Sequence, residues 1–492
     1  MTLTSLPFLL FLAAVLLLYN LVQGRHRWVV LLVSSYCFYA CFKLPHLLAA
    51  LVAVTIVSYT SALRIAGEAS SRRKCCWFWS GITLNLAILI GLKYVPFFIE
   101  HTNRLLSSSG SSYQFAAVNR LVIIGVSYYV FQGISYLVDV YLEQLEPETH
   151  LGCFALYIGF FPKLLQGPIE RGGKLLPQLH RLSPTSWDNL FSGINLFMWG
   201  LFKKVVVADR LASLADPVYN NVTGYSGGAF FLATYVFAFQ IYFDFSGYTD
   251  MALGTARCFN LGLTQNFNAP YFATSTAEFW RRWHISFSSW ILDYIFKPLQ
   301  LIFRQWPRIG TSVALIVTFL ASGIWHGSSW CFLIWGLLHG CYLASANFIK
   351  KKKQKLYKRV GIAKSRLLQP VQIFFTFHLV CFAWIFFRAA SVPDALYIVA
   401  HSFPDLAQSL LSTGRVTLYG SAREFVYAFL LIALVGIVGQ LDRFLGKNSE
   451  AAGPFRFMHE TPLPIRSTIY GFMSYMIVLC GAGTQSFIYL RF

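Results

Sequence analysis

Two histidines lie in aromatic, glycine-rich sequence where a charged side chain is costly. His284 stands in Glu278-Phe279-Trp280-Arg281-Arg282-Trp283-His284-Ile285-Ser286-Phe287-Ser288-Ser289-Trp290. His326 follows 42 residues later in Gly323-Ile324-Trp325-His326-Gly327. Imidazole takes up and releases a proton near neutral pH, and an ionisable group within apolar sequence marks a functional site by default. The chain has no G-x-S-x-G elbow, no Walker A loop and no H-E-x-x-H. Without a nucleophilic Ser or Cys motif, a histidine pair points to general-base chemistry on a hydroxyl. Of the eleven histidines, His26, His46, His101, His150, His180 and His459 fall in loops or at helix ends, while His339 and His378 also stand in apolar runs. A lone histidine of that kind is usually a hydrogen-bonded structural residue; several amid Trp, Phe and Gly tilt the reading toward proton handling. His401-Ser402-Phe403-Pro404-Asp405 matches an H-x-x-x-D pattern but falls in an expected loop without supporting context.

The elements that must position these residues follow from local signals. Asn266-Phe267-Asn268-Ala269-Pro270-Tyr271 reads as a turn. Ser275 or Thr276 then caps a helix expected to run to about residue 303, with a possible break at Pro298. On that helix Trp280 and His284 are i,i+4 and share a side, flanked by Arg281 and Ser288. His326 and His284 are therefore the candidate catalytic residues, and Trp280, Arg281, Trp283, Ser288 and Trp325 the candidate substrate-binding ones. No metal site is expected: the ten cysteines form no CxxC, and Asp244 and Asp250 in Phe243-Asp244-Phe245-Ser246-Gly247-Tyr248-Thr249-Asp250 do not match an EF-hand. Polar caps on a broken helix are the simpler reading of those aspartates. The cysteines read as packing residues, with Cys75-Cys76 next to a membrane span.

Composition decides the setting. The chain is 492 residues long, 56% hydrophobic and 12% charged, with mean hydropathy +0.55. A soluble domain carries about 25% charged residues, so the chain is expected to be an all-α polytopic membrane protein. Net charge is +20, but the positives gather at helix ends, which fits topogenic charge and anionic lipid and not nucleic acid. Apolar segments are expected at about residues 3–22, 28–42, 44–63, 77–98, 121–142, 190–207, 229–243, 311–324, 330–348, 371–387, 425–439 and 469–488, twelve stretches of which the second is short, read as about eleven crossings. The first lacks a basic n-region and a cleavage site and reads as a retained helix. Arg25, Arg27, Arg72, Arg73, Lys74 and the nine Lys/Arg of residues 350–366 mark the cytoplasmic side. Both termini, the Ser-rich stretch 101–113 and residues 403–421 then lie outside, and 443–464 inside. Phe160-Phe161-Pro162-Lys163-Leu164-Leu165-Gln166-Gly167-Pro168-Ile169-Glu170-Arg171-Gly172 cannot be one spanning helix and reads as re-entrant or interfacial. No internal repeat of the transporter kind is visible.

Taken in order, the stretches Phe161-Pro162-Lys163 with Gly167-Pro168-Ile169, Phe243 to Tyr248, Asn266 to Tyr271, Glu278 to Ser286, Trp325-His326-Gly327 and Ala383-Trp384-Ile385-Phe386-Phe387-Arg388 resemble the bacterial branch of the membrane-bound O-acyltransferase family. Within it the alginate O-acetylating membrane subunits are most similar, and the teichoic-acid D-alanyl transferases are similar but more compact. Gln300-Leu301 departs from the Gly-Gly pair that relatives often carry after Pro-Leu. The resemblance implies one domain over residues 1–492, with N-terminal helices to 118, a motif-bearing catalytic core at 119–390 and C-terminal helices from 391. It implies a helical ring around a tunnel crossing a bacterial inner membrane, and maps the family's catalytic histidine onto His326 and its second site histidine onto His284. No bound cofactor is implied. The implied donor is acetyl-CoA or an acyl-carrier thioester on the cytoplasmic side, and the implied acceptor a hydroxyl of a cell-surface or exported polysaccharide such as alginate. His284 would orient the partner group or donate to the developing oxyanion. With no large external domain in the sequence, periplasmic or extracellular polysaccharide-modifying proteins are expected as partners. D-alanyl transfer, a transporter and a non-enzymatic scaffold are the alternatives.

Overall fold

The computed structural model describes residues 1–492 except 112, 117–122, 362–364, 414–419, 446–460, 482–486 and 489–492. The start of the span expected from residue 121, parts of the segments 350–366, 403–421, 443–464 and 469–488, and the C-terminus lie partly or wholly outside the described residues. The secondary-structure elements among the described residues are all helices. Contacts divide the chain into two compact units, Met1–Ile194 with Ala252–Thr264, and Asn195–Met251 with Gln265–Phe492.

The first unit begins with α1 (Leu6–Leu21), α2 (Arg27–Ala40), α3 (Pro45–Gly67), α4 (Ser71–Lys93), α5 (Val95–Ser108) and α6 (Val126–Tyr141). Small residues let α3, α4 and α6 approach closely: a Cβ on Gly81 would lie 2.8 Å from the Ser61 hydroxyl, and one on Gly133 2.5 Å from that of Ser58. The amide of buried Asn85 donates to Ser58 Oγ (3.2 Å) and to the Gly81 carbonyl (2.8 Å), the kind of polar tie that holds apolar helices together. The loop expected at 101–113 is largely α5, because Pro96 starts a new helix directly after α4. Then come α7 (Leu151–Gly159), α8 (Phe161–Leu164) and α9 (Gly172–Leu179). Between α8 and α9 the backbone is irregular and buried, as the prolines at 162 and 168 require. Buried Lys163 satisfies its ammonium on Gln132 Oε1 and the Ile158 carbonyl, and Glu170 accepts from the backbone N–H and hydroxyl of Thr264. Non-helical backbone of this kind is tolerated at membrane depth only inside protein.

The chain continues through α10 (Trp187–Phe202), a π-helical turn at Lys203–Ala208, α11 (Asp209–Asn220), α12 (Gly228–Arg257), α13 (Thr276–Arg282), α14 (Ile285–Ile291) and α15 (Lys297–Ile302). It ends with α16 (Pro307–His326), α17 (Trp330–Arg359), α18 (Leu368–Arg388), α19 (Val392–Thr413), α20 (Ala422–Leu445) and α21 (Leu463–Cys480). Among the described residues nine helices are long and apolar enough to cross a membrane: α3, α4, the continuous Trp187–Asn220, α12, α16, α17, α18, α20 and α21. The protein is thus multi-pass. The apolar α1, with 16 residues, is shorter, and so are α2, with 14, and α6, with 16. Large apolar side chains such as Leu6, Leu10, Phe374, Phe375 and Val478 are exposed, which suits a surface facing lipid.

Several expected boundaries move. α12 is unbroken where a capped break was expected, because its aspartates are neutralised by lysines from the π-helical turn, described below. α17 continues as helix to Arg359 through most of the basic segment. α19 replaces the first part of the expected 403–421 loop, and His401 sits inside it, its Nδ1–H donating to the Tyr397 carbonyl (2.9 Å). The single helix expected from 276 to 303 is α13, a break at residues 283–284, and a second continuous run in which α14 passes through a π-helical turn (Leu292–Phe296) into α15, with consequences for the site.

Candidate active site

The expected helix breaks at the histidine. Ser275 Oγ accepts from the Glu278 N–H (3.2 Å) and caps α13. The Glu278 carboxylate takes the Thr274 N–H (2.7 Å), the Thr274 hydroxyl (2.5 Å) and Arg282 Nη2 (2.6 Å), so the acid and one arginine of the stretch satisfy each other. Trp283 is extended, and His284 is left-handed with φ 44° and ψ 55°. A left-handed non-glycine residue costs about 1–3 kcal/mol and survives only where its surroundings impose it. The expected turn 266–271 imposes it here. The Asn268 N–H donates to the Arg282 carbonyl (2.9 Å), the Ile285 N–H to the Asn266 carbonyl (3.0 Å) and the Ser286 N–H to Asn266 Oδ1 (3.0 Å). Ser288 Oγ donates to the Trp283 carbonyl (2.8 Å). Trp280 and His284 therefore do not share a helix face, which corrects the i,i+4 expectation.

The kink delivers the His284 ring to α12 and α16. It stands edge-on to Phe245, with ring centroids 4.7 Å apart, and lies 5.0 Å from Phe287 and 6.1 Å from Trp325. Phe287 and Trp325 stack at 4.4 Å and 27°. His326, the last residue of α16, lies 5.5 Å from Phe287 and 4.8 Å from Trp325. The two histidines thus flank one stacked aromatic pair. Both are buried. Burial pushes the His284 imidazole down to about 3, so it stays neutral.

α17 and α18 close the other side of His326. Trp335 meets it edge-on at 4.9 Å and Phe387 at 5.4 Å. Trp384 stacks on Trp335 at 6.0 Å and lies 5.2 Å from Trp283. Trp280, about one turn before the kink, donates its indole N–H to His339 Nδ1 at 3.2 Å. Glycines make this closeness possible. A Cβ on Gly323 would lie 2.3 Å from the Phe332 carbonyl oxygen, and one on Gly336 2.2 Å from that of Phe319, so α16 and α17 touch backbone to backbone just before His326.

Of the expected site residues, the fold gathers His284, His326, Trp280, Trp283 and Trp325 into this aromatic layer. Ser288 supports the kink, and Arg281 is exposed. The residues that the sequence argument had not assigned to the site are Phe245, Phe287, Trp335, His339, Trp384 and Phe387. The visible signal was Trp335-Gly336 and His339-Gly340, one helical turn apart on a helix that must pack tightly.

Asp244 and Asp250 belong elsewhere. Lys204 Nζ contacts Asp244 Oδ1 (2.5 Å) and Asp209 Oδ1 (2.8 Å), while Lys203 Nζ contacts Asp250 Oδ2 (2.7 Å) and Ser246 Oγ (3.0 Å). Asp244 Oδ2 also accepts the Ile488 N–H (2.9 Å). Among the described residues no group of three or more His, Cys, Asp or Glu could hold a metal ion.

Residues 143–388 match the model of the membrane-bound O-acyltransferase family. The chain is 36% identical over 432 residues to the probable alginate O-acetylase AlgI of Azotobacter vinelandii, covering 87% of this chain and 83% of that one. It is 32% identical over 405 residues to the peptidoglycan O-acetyltransferase of Helicobacter pylori, covering 76% and 72%. It is 26% identical over 360 residues to the teichoic acid D-alanyltransferase of Bacillus subtilis, covering 70% and 86%. An all-helical multi-pass chain with a buried histidine site and this similarity is a membrane-bound O-acyltransferase; the chain belongs to that family.

Proposed function

We propose that the protein transfers an acyl group, acetyl in the simplest case, from a thioester to hydroxyls of a cell-surface or exported polysaccharide, with His326 as general base. The observation that carries this reading is the placement of His326 at a helix end inside a buried aromatic layer, with a second imidazole, His284, across the same aromatic pair. The attacking hydroxyl gives its proton to His326 as its oxygen bonds to the thioester carbonyl carbon. The oxyanion collapses, the C–S bond breaks, and the imidazolium returns the proton to the sulfur, leaving an ester and a thiol. Such proton transfer is worth roughly 10²–10⁴ in rate. His284, held neutral by burial, orients the acceptor group; it does not compete for its proton. Exclusion of bulk water by the aromatic wall protects the thioester from hydrolysis.

The donor, acetyl-CoA or a loaded carrier protein, enters from the cytoplasmic side marked by the basic segment at the end of α17. The protein lies in a bacterial inner membrane with both termini outside, and periplasmic or extracellular polysaccharide-modifying proteins are its partners in acylating the polymer. The acetylated polymers named for the relatives, alginate and peptidoglycan, support a polysaccharide acceptor. The test is His326→Ala in cells and in purified protein: ester formation is lost, while expression and membrane insertion persist. Near-normal acylation by that variant rules the reading out. Thioester consumption by the purified parent protein without an ion gradient separates an enzyme from a transporter.

A further inference from the structure

We propose that the indole N–H groups of Trp335 and Trp384 and the Nε2–H of His339 bind the acyl carbonyl oxygen and hold it as the oxyanion forms. The proposal rests on the acyl-transfer reading above and assigns the atoms that serve it. Each of the three residues is 0% exposed. Trp335 Nε1, Trp384 Nε1 and His339 Nε2 have no hydrogen-bond partner among the described residues. Buried donors without acceptors cost free energy and are rare in native proteins, so three in one contiguous layer call for an explanation.

The chemistry of the layer specifies the ligand atom. Indole nitrogen is a donor only. His339 is a donor at Nε2 as well, because its Nδ1 accepts the Trp280 indole N–H at 3.2 Å and so cannot carry a proton. The tautomer of His339 is therefore set by Trp280, which acts as a positioning residue. The layer is continuous with the proposed base: Trp335 lies 4.9 Å from His326, 5.1 Å from His339 and 6.0 Å from Trp384 between ring centroids. Three neutral donors suit an oxygen that accepts and gives no proton. The attacking hydroxyl must give one to His326, so it is the wrong partner. The thioester carbonyl oxygen is the right one: as the hydroxyl oxygen bonds to the carbonyl carbon, the π pair moves onto that oxygen, and neutral donors favour the resulting charge over the ground state. When the C–S bond breaks, the pair returns to form the ester carbonyl.

The probe is [1-13C]acetyl-CoA, with S-([1-13C]acetyl)phosphopantetheine as a second arm, bound to purified His326→Ala protein without acceptor. Isotope-edited infrared difference spectra read the carbonyl stretch. The expected result is a band shifted to lower frequency than that of free thioester, with the shift reduced in Trp335→Phe, Trp384→Phe and His339→Phe. Because Trp→Phe also leaves a void, benzothienylalanine is placed at 335 or 384 by stop-codon incorporation; it exchanges only the N–H for sulfur. In the His326 protein each such exchange lowers kcat roughly 10²–10³-fold, with the donor KM within threefold. No shift in the parent, no thioester binding, or a shift unchanged by the benzothienyl variants overturns the assignment. Full transfer by His326→Ala overturns the underlying reading instead.

Discussion

Gly336→Ala should inactivate the protein without unfolding it. The added Cβ would sit 2.2 Å from the Phe319 carbonyl oxygen and 3.2 Å from the Gly323 Cα. Both obstacles are backbone of α16, so no side chain can rotate away. Bringing the closer contact to the 3.4 Å of ordinary packing takes a displacement of 1.2 Å between α16 and α17. Trp335, the adjacent residue on α17, and His326, three residues beyond Gly323 on α16, are 4.9 Å apart between ring centroids and must separate with their helices. Misplacement by about 1 Å costs on the order of 10²-fold in turnover, whereas overpacking of one methyl costs about 1–3 kcal/mol of stability. Turnover should therefore fall about 10²-fold in protein that still inserts and elutes as a single species. The assay is acetyl-thioester consumption by detergent-purified protein beside a thermal-unfolding curve. Gly91→Ala is the control, because a Cβ there meets nothing within 4 Å. Gly336→Ala protein retaining turnover within twofold of the parent would refute the link between helix spacing and site geometry.

Removing one partner of a buried ion pair is the next test. Asp250→Asn leaves Lys203 short of its 2.7 Å partner and should cost about 3–5 kcal/mol, seen as a lowered unfolding midpoint, while Lys203→Met with Asp250→Leu should recover most of it. His284 is neutral down to about pH 3 in the folded protein but has an ordinary value near 6.5 when unfolded. The unfolded chain then binds the extra proton between those values, so stability contributed by this site is intact above pH 6.5 and falls as pH drops from 6.5 toward 3. His284→Gln should flatten that part of the thermal-stability profile; an unchanged slope counts against a buried neutral imidazole. The same variant should leave the acid limb of the kcat/KM profile in place, because a group neutral to pH 3 does not set it.

How much of this was readable beforehand depends on which residues carry the information. Helical membrane class and most spans follow from long apolar runs, since a bilayer demands a length that sequence displays directly. The site histidines are visible because they interrupt such runs. The kink at His284 was not visible. Residues 276–303 contain no glycine, and the only proline, Pro298, stands well past the kink, just after the π-helical turn Leu292–Phe296. The break comes from tertiary hydrogen bonds out of Asn266 and Asn268, which local propensity does not encode. The aromatic partners on α17 and α18 were hidden for a related reason: on an all-apolar helix, period 3.6 does not reveal which face meets a histidine and which meets lipid.

Charge inside the membrane proves an incomplete guide to the site. The rule that ionisable residues at depth are functional draws attention to the charged stretch 278–290 along with the histidines, while Asp244 and Asp250 read as helix caps. The structure separates them by what satisfies each one. Asp244 and Asp250 are neutralised by Lys204 and Lys203, and Arg282 by Glu278, all within 2.7 Å. A pair satisfied this fully has little left to offer a substrate, and its role is to fix how α12 meets the π-helical turn or how α13 meets its cap. The proposed chemistry falls instead to two imidazoles and a layer of neutral indoles. That choice has a physical basis. A permanent charge stabilises ground and transition states together, whereas neutral donors in a dry site respond to charge only when the reaction creates it.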